Sequence, residues 1–273
     1  MARFGESPLF GRLLRDSTLP HYLSATQPIR NVFDFGLKLL GRGERRHEYV
    51  YKAAIARRIL MGRHTLRTAV MLPEFRVGNC KADIVILNGT SAVYEIKSER
   101  DTLDRLQNQL AAYQSVFAQV NVIAGWKHID EVAAIADEDV GLLTLSKHAC
   151  ISVLRRPREN VSRIVPSMVF QSLPLCESVR ILRKLEFDVP DVPNTEIHRE
   201  VSRLFAALDP FQLHPAMVQV LKATRNLAPL ENFFENLPAS LHAAVLSADL
   251  RQADKSRLVS AIDTPIADAM SWA

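Results

Sequence analysis

Three ionisable residues stand where buried strands would carry none. Asp83 lies in the apolar run ADIVIL at 82–87, and Glu95 and Lys97 lie in the run AVYEIK at 92–97. The two runs flank Asn88-Gly89, the strongest short-range signal for a β-hairpin. Two carboxylates beside an amine form a definite chemical set. Carboxylate oxygens and a backbone carbonyl hold a hard divalent cation. A cation with a lysine beside it activates water and steadies the charge of a phosphodiester transition state.

Whether the set assembles depends on register, because side chains alternate along a strand. Glu95 and Lys97 share a face with Val93, and Asp83 shares one with Val85 and Leu87. A two-residue loop pairs Leu87 with Thr90 and places the two carboxylates on opposite faces. A three-residue loop, Asn88-Gly89-Thr90, pairs Leu87 with Ser91 and Asp83 with Glu95, with Cβ atoms about 4.5–5.5 Å apart. Like charges so placed repel, and burial raises the cost. The three-residue register therefore predicts a metal site with a lysine beside it.

The elements that would position these residues follow from periodicity. A helix is predicted at about 44–62, then strands at 68–76, 82–87 and 92–97. A second helix runs from Asp101 to about 117, with Leu103, Leu106, Leu110, Tyr113 and Phe117 spaced alternately three and four apart. VNVIAG at 120–125 is a short buried strand, followed by a helix at about 128–137. GLLTLS and CISVLRR are two more strands. Residues 44–157 thus read as a mixed α/β domain, preceded by a proline-broken lead-in at 1–43. Pro174, Pro190 and Pro193 mark an extension at 158–194, and 195–273 reads as an all-α module.

This order resembles the PD-(D/E)XK nuclease superfamily, whose core is a helix, a three-strand meander, a second helix and a fourth strand. The resemblance covers about residues 44–126 and implies a restriction-endonuclease-like α/β core. It implies catalytic roles for Asp83, Glu95 and Lys97. It also implies a metal, Mg2+ or Mn2+, held by Asp83, Glu95, the Ile96 carbonyl and a first-helix glutamate. Glu48 matches that glutamate, since Tyr51, Ile55 and Ile59 continue its stripe; Glu44 is the alternative. Gln109 and Tyr113 are similar to the Gln-x-x-x-Tyr motif of the RecB-like branch, and Arg105, Gln109 and Tyr113 fall on one helical line. Ala82 departs from the family, which has proline there.

Composition sets the remaining bounds. The chain has 273 residues, 48% hydrophobic and 23% charged, ordinary for a globular protein. No run reaches the roughly 18–20 apolar residues of a membrane span, and the charged N-terminus does not read as a secretory signal. Cys80, Cys150 and Cys176 are widely spaced, which argues against a disulfide framework. A cytoplasmic location is expected. The net charge of +4 hides a concentration: residues 42–67 carry eight basic residues against Glu44 and Glu48. Arg57 and Arg58, with Arg105, Gln109 and Tyr113, are candidates for nucleic-acid contact.

Other sites are weaker. The eight histidines form no His-x-x-x-His pair, no glycine-rich phosphate loop is present, and Ser98 and Ser146 lack a nucleophile elbow. Trp126 reads as packing. The expected function is a Mg2+-dependent nuclease acting on DNA. The alternatives are a silent nucleic-acid- or protein-binding module on the same fold, and a helical C-terminal module that docks a protein partner.

Overall fold

The structure, a computed structural model, describes residues 1–42, 46–146 and 149–272. Two helices come first, α1 (Pro8–Asp16) and α2 (Arg30–Leu40). Ser7 caps α1 by accepting the Phe10 N–H, with Pro8 at the first helical position, where its missing N–H costs nothing. The helix expected at 44–62 runs from Glu48 to Arg63, as α3 (Glu48–Ile55), a π-helical turn (Ala56–Leu60) and α4 (Met61–Arg63). Glu44 lies outside the described residues.

The sheet has six strands in sequence order: β1 (Val70–Val77), β2 (Cys80–Leu87), β3 (Ser91–Lys97), β4 (Gln119–Ala124), β5 (Gly141–Leu145) and β6 (Ile151–Arg155). The first three form an antiparallel meander, β3, β4 and β5 run parallel, and β6 returns antiparallel. The parallel steps need helical crossovers. These are α5 (Leu106–Gln114) and α6 (Ile129–Ile135). The helix predicted from Asp101 starts five residues later. Asp101 instead accepts the backbone N–H and hydroxyl of Ser98, closing a turn after β3.

Beyond the sheet the chain is helical: α7 (Pro166–Ser172), α8 (Leu175–Lys184), α9 (Asn194–Ala206), α10 (Pro210–Thr224), α11 (Glu231–Glu235), α12 (His242–Leu246), α13 (Gln252–Ile262) and α14 (Ile266–Met270). Of the prolines that suggested an extension at 158–194, Pro174 and Pro193 precede helices α8 and α9; Pro166 likewise opens α7.

The fold is therefore mixed α/β, a mixed sheet flanked by helices with a helical C-terminal region. Both sheet faces are buried. Val85, Leu87, Val93 and Val122 pack on α5 and on α7–α10. Ile84, Ile86, Tyr94 and Ile123 pack on α3, on the N-terminal segment and on α11–α14. The C-terminal helices are thus divided between the two faces. On the second face Phe10 of α1 stacks with Phe33 of α2 and lies against Trp272. No helix among the described residues is long and apolar enough to cross a membrane.

Candidate active site

The β2–β3 loop has three residues. Leu87 pairs with Ser91, Val85 with Val93 and Ile84 with Tyr94. Gly89 takes φ +75°, a left-handed conformation that glycine adopts without strain. Carried one residue further, this register sets Asp83 opposite Glu95. The ladder stops short of that rung, however. The Ile96 N–H, which the next rung would have given to the backbone, goes to Asp83 Oδ2 at 2.7 Å. In an extended strand a residue's N–H and C=O face the same edge, so the Ile96 carbonyl also faces the β2 side.

Glu95 is 2% exposed and Lys97 6%. Glu95 Oε1 lies 3.1 Å from Lys97 Nζ and accepts from Gln109 Nε2 at 2.6 Å. Its Oε2 accepts from the Tyr113 hydroxyl at 2.8 Å, and Lys97 Nζ donates to Gln109 Oε1 at 2.8 Å. Helix α5 therefore grips the Glu-x-Lys pair with two side chains one turn apart. The Tyr113 hydroxyl is also 3.1 Å from the Lys81 carbonyl.

The two acids are held towards their protonated forms. Burial, then the Glu95 charge, pushes Asp83 up to about 7, against the opposing pull of the Ile96 N–H. Burial also raises Glu95, although Lys97, Tyr113 and Gln109 favour its charge. Burial and the Glu95 carboxylate raise Tyr113 far above the usual phenol. Such a pair carries more negative charge than its surroundings offset, and a cation would relieve it.

Glu48 sits in the first turn of α3, where the helix dipole favours a carboxylate. It pairs with Lys52 at 2.6 Å, and its charge adds to the upward push on Asp83. Arg105 is exposed at the start of α5. Arg57 and Arg58 are exposed as well, but they line a cavity on the opposite face of the sheet, between α2 and α3. The structure thus brings together Asp83, Glu95, Ile96, Lys97, Gln109 and Tyr113, with Glu48 at the margin. It does not bring Arg57 and Arg58 to them.

Several residues escaped the sequence reading. Lys52 pulls against the rise in Asp83 and stands 3.8 Å from Glu74. Glu74 holds φ +55° in β1, at the place that would face Asp83, and pairs with Lys81 at 2.6 Å. Arg46 and Glu99, each 3% exposed, form an ion pair. Arg46 also donates to the Leu145 and Ser146 carbonyls, and Tyr51 donates to Glu99 at 2.9 Å. This latch ties the entry to α3, and so Glu48, to the ends of β3 and β5. Its one sequence signal was a second acid, Glu99, continuing the alternation of Glu95 and Lys97. Trp126, expected to pack, is 61% exposed beside Gly125, whose N–H donates to the Lys97 carbonyl.

Among the described residues no three His, Cys, Asp or Glu side chains are grouped as a ligand set. Mg2+ needs fewer, since it is commonly bound by one or two carboxylates with water completing its shell. Asp83, Glu95 and the Ile96 carbonyl fit that donor chemistry.

No solved structure matches the chain. Protein cII of Enterobacteria phage P4 is 36% identical over 80 residues, which is 29% of this chain and 30% of that relative. The chain therefore spans under a third of the curated relative it matches. The family model described as bacteriophage P4 protein cII matches residues 42–251, most of the chain and all six strands. On that match, the chain belongs to the bacteriophage P4 protein cII family.

Proposed function

We propose that this protein is a divalent-metal-dependent nuclease of the PD-(D/E)XK kind, hydrolysing phosphodiester bonds in DNA. One observation carries the reading: the three-residue hairpin loop sets Asp83 across from Glu95, with Lys97 and the Gln109–Tyr113 pair on the same buried face. The order of elements supports it too, since a helix, an antiparallel meander, a helix and a parallel fourth strand occur in turn.

In this reading Asp83, Glu95 and the Ile96 carbonyl would hold Mg2+ or Mn2+, helped by Glu48 of α3. The bound metal supplies Lewis acidity towards water and phosphate. Lys97 orients the attacking water by donating a hydrogen bond to it. Gln109 holds the Lys97 amine and the Glu95 carboxylate at fixed separation, and Tyr113 fixes the second Glu95 oxygen. Arg105 and the exposed Trp126 lie on elements flanking the site, suited to a phosphate and to stacking on a base.

A second reading is a binding module without cleavage. It is favoured by the engagement of both Glu95 oxygens and of the Lys97 amine within the protein. The deciding experiment incubates the protein with single-stranded and duplex DNA, with and without Mg2+ or Mn2+. Metal-dependent cleavage lost in Asp83→Asn supports the nuclease. No cleavage of any DNA, with binding retained, transfers the conclusion to the module.

A further inference from the structure

On the sheet face opposite the carboxylates lies a cavity of about 510 Å³ between α2, α3 and the turn at Ala239–Leu241. Its size falls within the range of small-ligand pockets. The floor is apolar, made by leucine, valine and alanine side chains of α2 and α3. Around it stand Lys38, Arg42, Arg57 and Arg58, against the one carboxylate of Asp34. All four cations are exposed, and among the described residues none of the four has a carboxylate within ion-pair distance. Arg58 donates to the Cys150 sulfur, at 3.7 Å. Asp34 is itself engaged by the Ser240 N–H at 3.2 Å.

Ser240, 3% exposed, stands in the wall, but its hydroxyl is shut off from solvent and so from the cavity. Four cations converging on one concave, partly apolar wall concentrate positive potential where a low-dielectric surface screens it least.

We propose that this cavity seats a phosphate group, with Lys38, Arg42, Arg57 and Arg58 supplying the charge. A free phosphate-bearing small molecule and the phosphate of a nucleic-acid strand share that chemistry. The inference does not rest on the nuclease reading, because the cavity contains none of the carboxylate-site residues.

The test is binding in the presence of a chelator, which removes any metal-bridged anion at the carboxylates. The probes are inorganic pyrophosphate by calorimetry and a short single-stranded oligonucleotide by anisotropy, at constant ionic strength. Arg57→Gln with Arg58→Gln weakens binding by about tenfold or more, the scale of losing charge-assisted hydrogen bonds. Lys38→Glu, at an exposed position, does the same with little risk to folding. Ala239→Phe fills the rim without changing charge and also weakens binding. Pyrophosphate binding that obeys these variants supports a small-molecule site. Oligonucleotide binding that obeys them, without pyrophosphate binding, supports a strand phosphate as the occupant. Binding that survives Ala239→Phe but falls with the charge variants identifies a diffuse basic surface and overturns the cavity, as does failure of both probes to bind the wild type.

Discussion

Asp83 Oδ2 accepts the Ile96 backbone N–H at 2.7 Å, at the point where the β2–β3 ladder ends. The carboxylate takes the place of a backbone acceptor and wedges the strands apart. One residue on either side of Ile96 stand Glu95 and Lys97, so the strand end presents an acid, a carbonyl and an amine around one opening. A side chain that stabilises the splay is also the one most penalised for being charged there.

The first expectation follows from that penalty. Asp83→Asn keeps the shape but removes the like-charge repulsion with Glu95. The metal-free protein should gain about 1 kcal/mol, the scale of a cross-strand like-charge pair. Wild type should gain further thermal stability with Mg2+ or Mn2+, because a ligand of the native state alone stabilises it, and the variant should gain much less. Melting curves with and without metal check this. An equal metal response in both proteins would remove Asp83 from the ligand set.

The same residue predicts a pH dependence. Its folded-state value, about 7, lies above the ordinary 3.8. Between those values the folded protein keeps a proton that the unfolded chain has lost, so stability falls as pH rises through this window. Below about pH 4 the group contributes no difference, and above about pH 7 the full penalty applies. The stability advantage of Asp83→Asn should therefore be absent at low pH and largest above neutrality. Chemical denaturation across the range, in chelator, measures it. An advantage constant with pH would mean that Asp83 titrates normally.

Lys97→Ala and Tyr113→Phe should separate chemistry from support. Removal of the Lys97 amine should abolish cleavage while leaving metal-linked stabilisation in place. Tyr113→Phe deletes the donor to Glu95 Oε2 and should cost about 1–3 kcal/mol, as for a buried acceptor left unpaired. Cleavage should fall less than in Lys97→Ala. Unaffected cleavage in Lys97→Ala would rule out its role at the water.

The Arg46–Glu99 latch should matter to stability rather than to chemistry. Arg46→Ala leaves a buried carboxylate with one hydroxyl donor, Tyr51, and should cost about 3–5 kcal/mol. Arg46→Met with Glu99→Leu should recover part of that loss. The remainder is the Tyr51 hydroxyl left without its acceptor. Urea midpoints of the single and double variants decide it; a double variant no better than the single would mean that the pair is not coupled.

A last expectation concerns Arg57 and Arg58. If their cavity receives strand phosphates, DNA affinity should fall steeply with salt, with a logarithmic slope of about −0.9 per duplex phosphate neutralised. The double glutamine variant should flatten that slope. An unchanged slope would assign the salt dependence to other cations.

The sequence by itself determined the hairpin, its three-residue option and the Glu-x-Lys alternation, because turn chemistry and a period of two act between near neighbours. It also placed Gln109 and Tyr113 one turn apart on a helix. Only the tertiary structure decided between the two loop registers, because helices bury both sheet faces and the choice depends on which set of strand side chains each helical layer fits. It set the start of α5, where Asp101 closes a turn that periodicity extends as helix. It divided the C-terminal helices between two sheet faces, which a segment of uniform helical spacing does not encode. Above all it chose the charge partners: Glu48 with Lys52, Arg46 with Glu99 across 53 residues of chain, and Arg57 and Arg58 with a cavity away from the carboxylates. Such pairings are set by how α3 lies against the sheet, and that placement emerges from burial summed over both faces rather than from any local pattern.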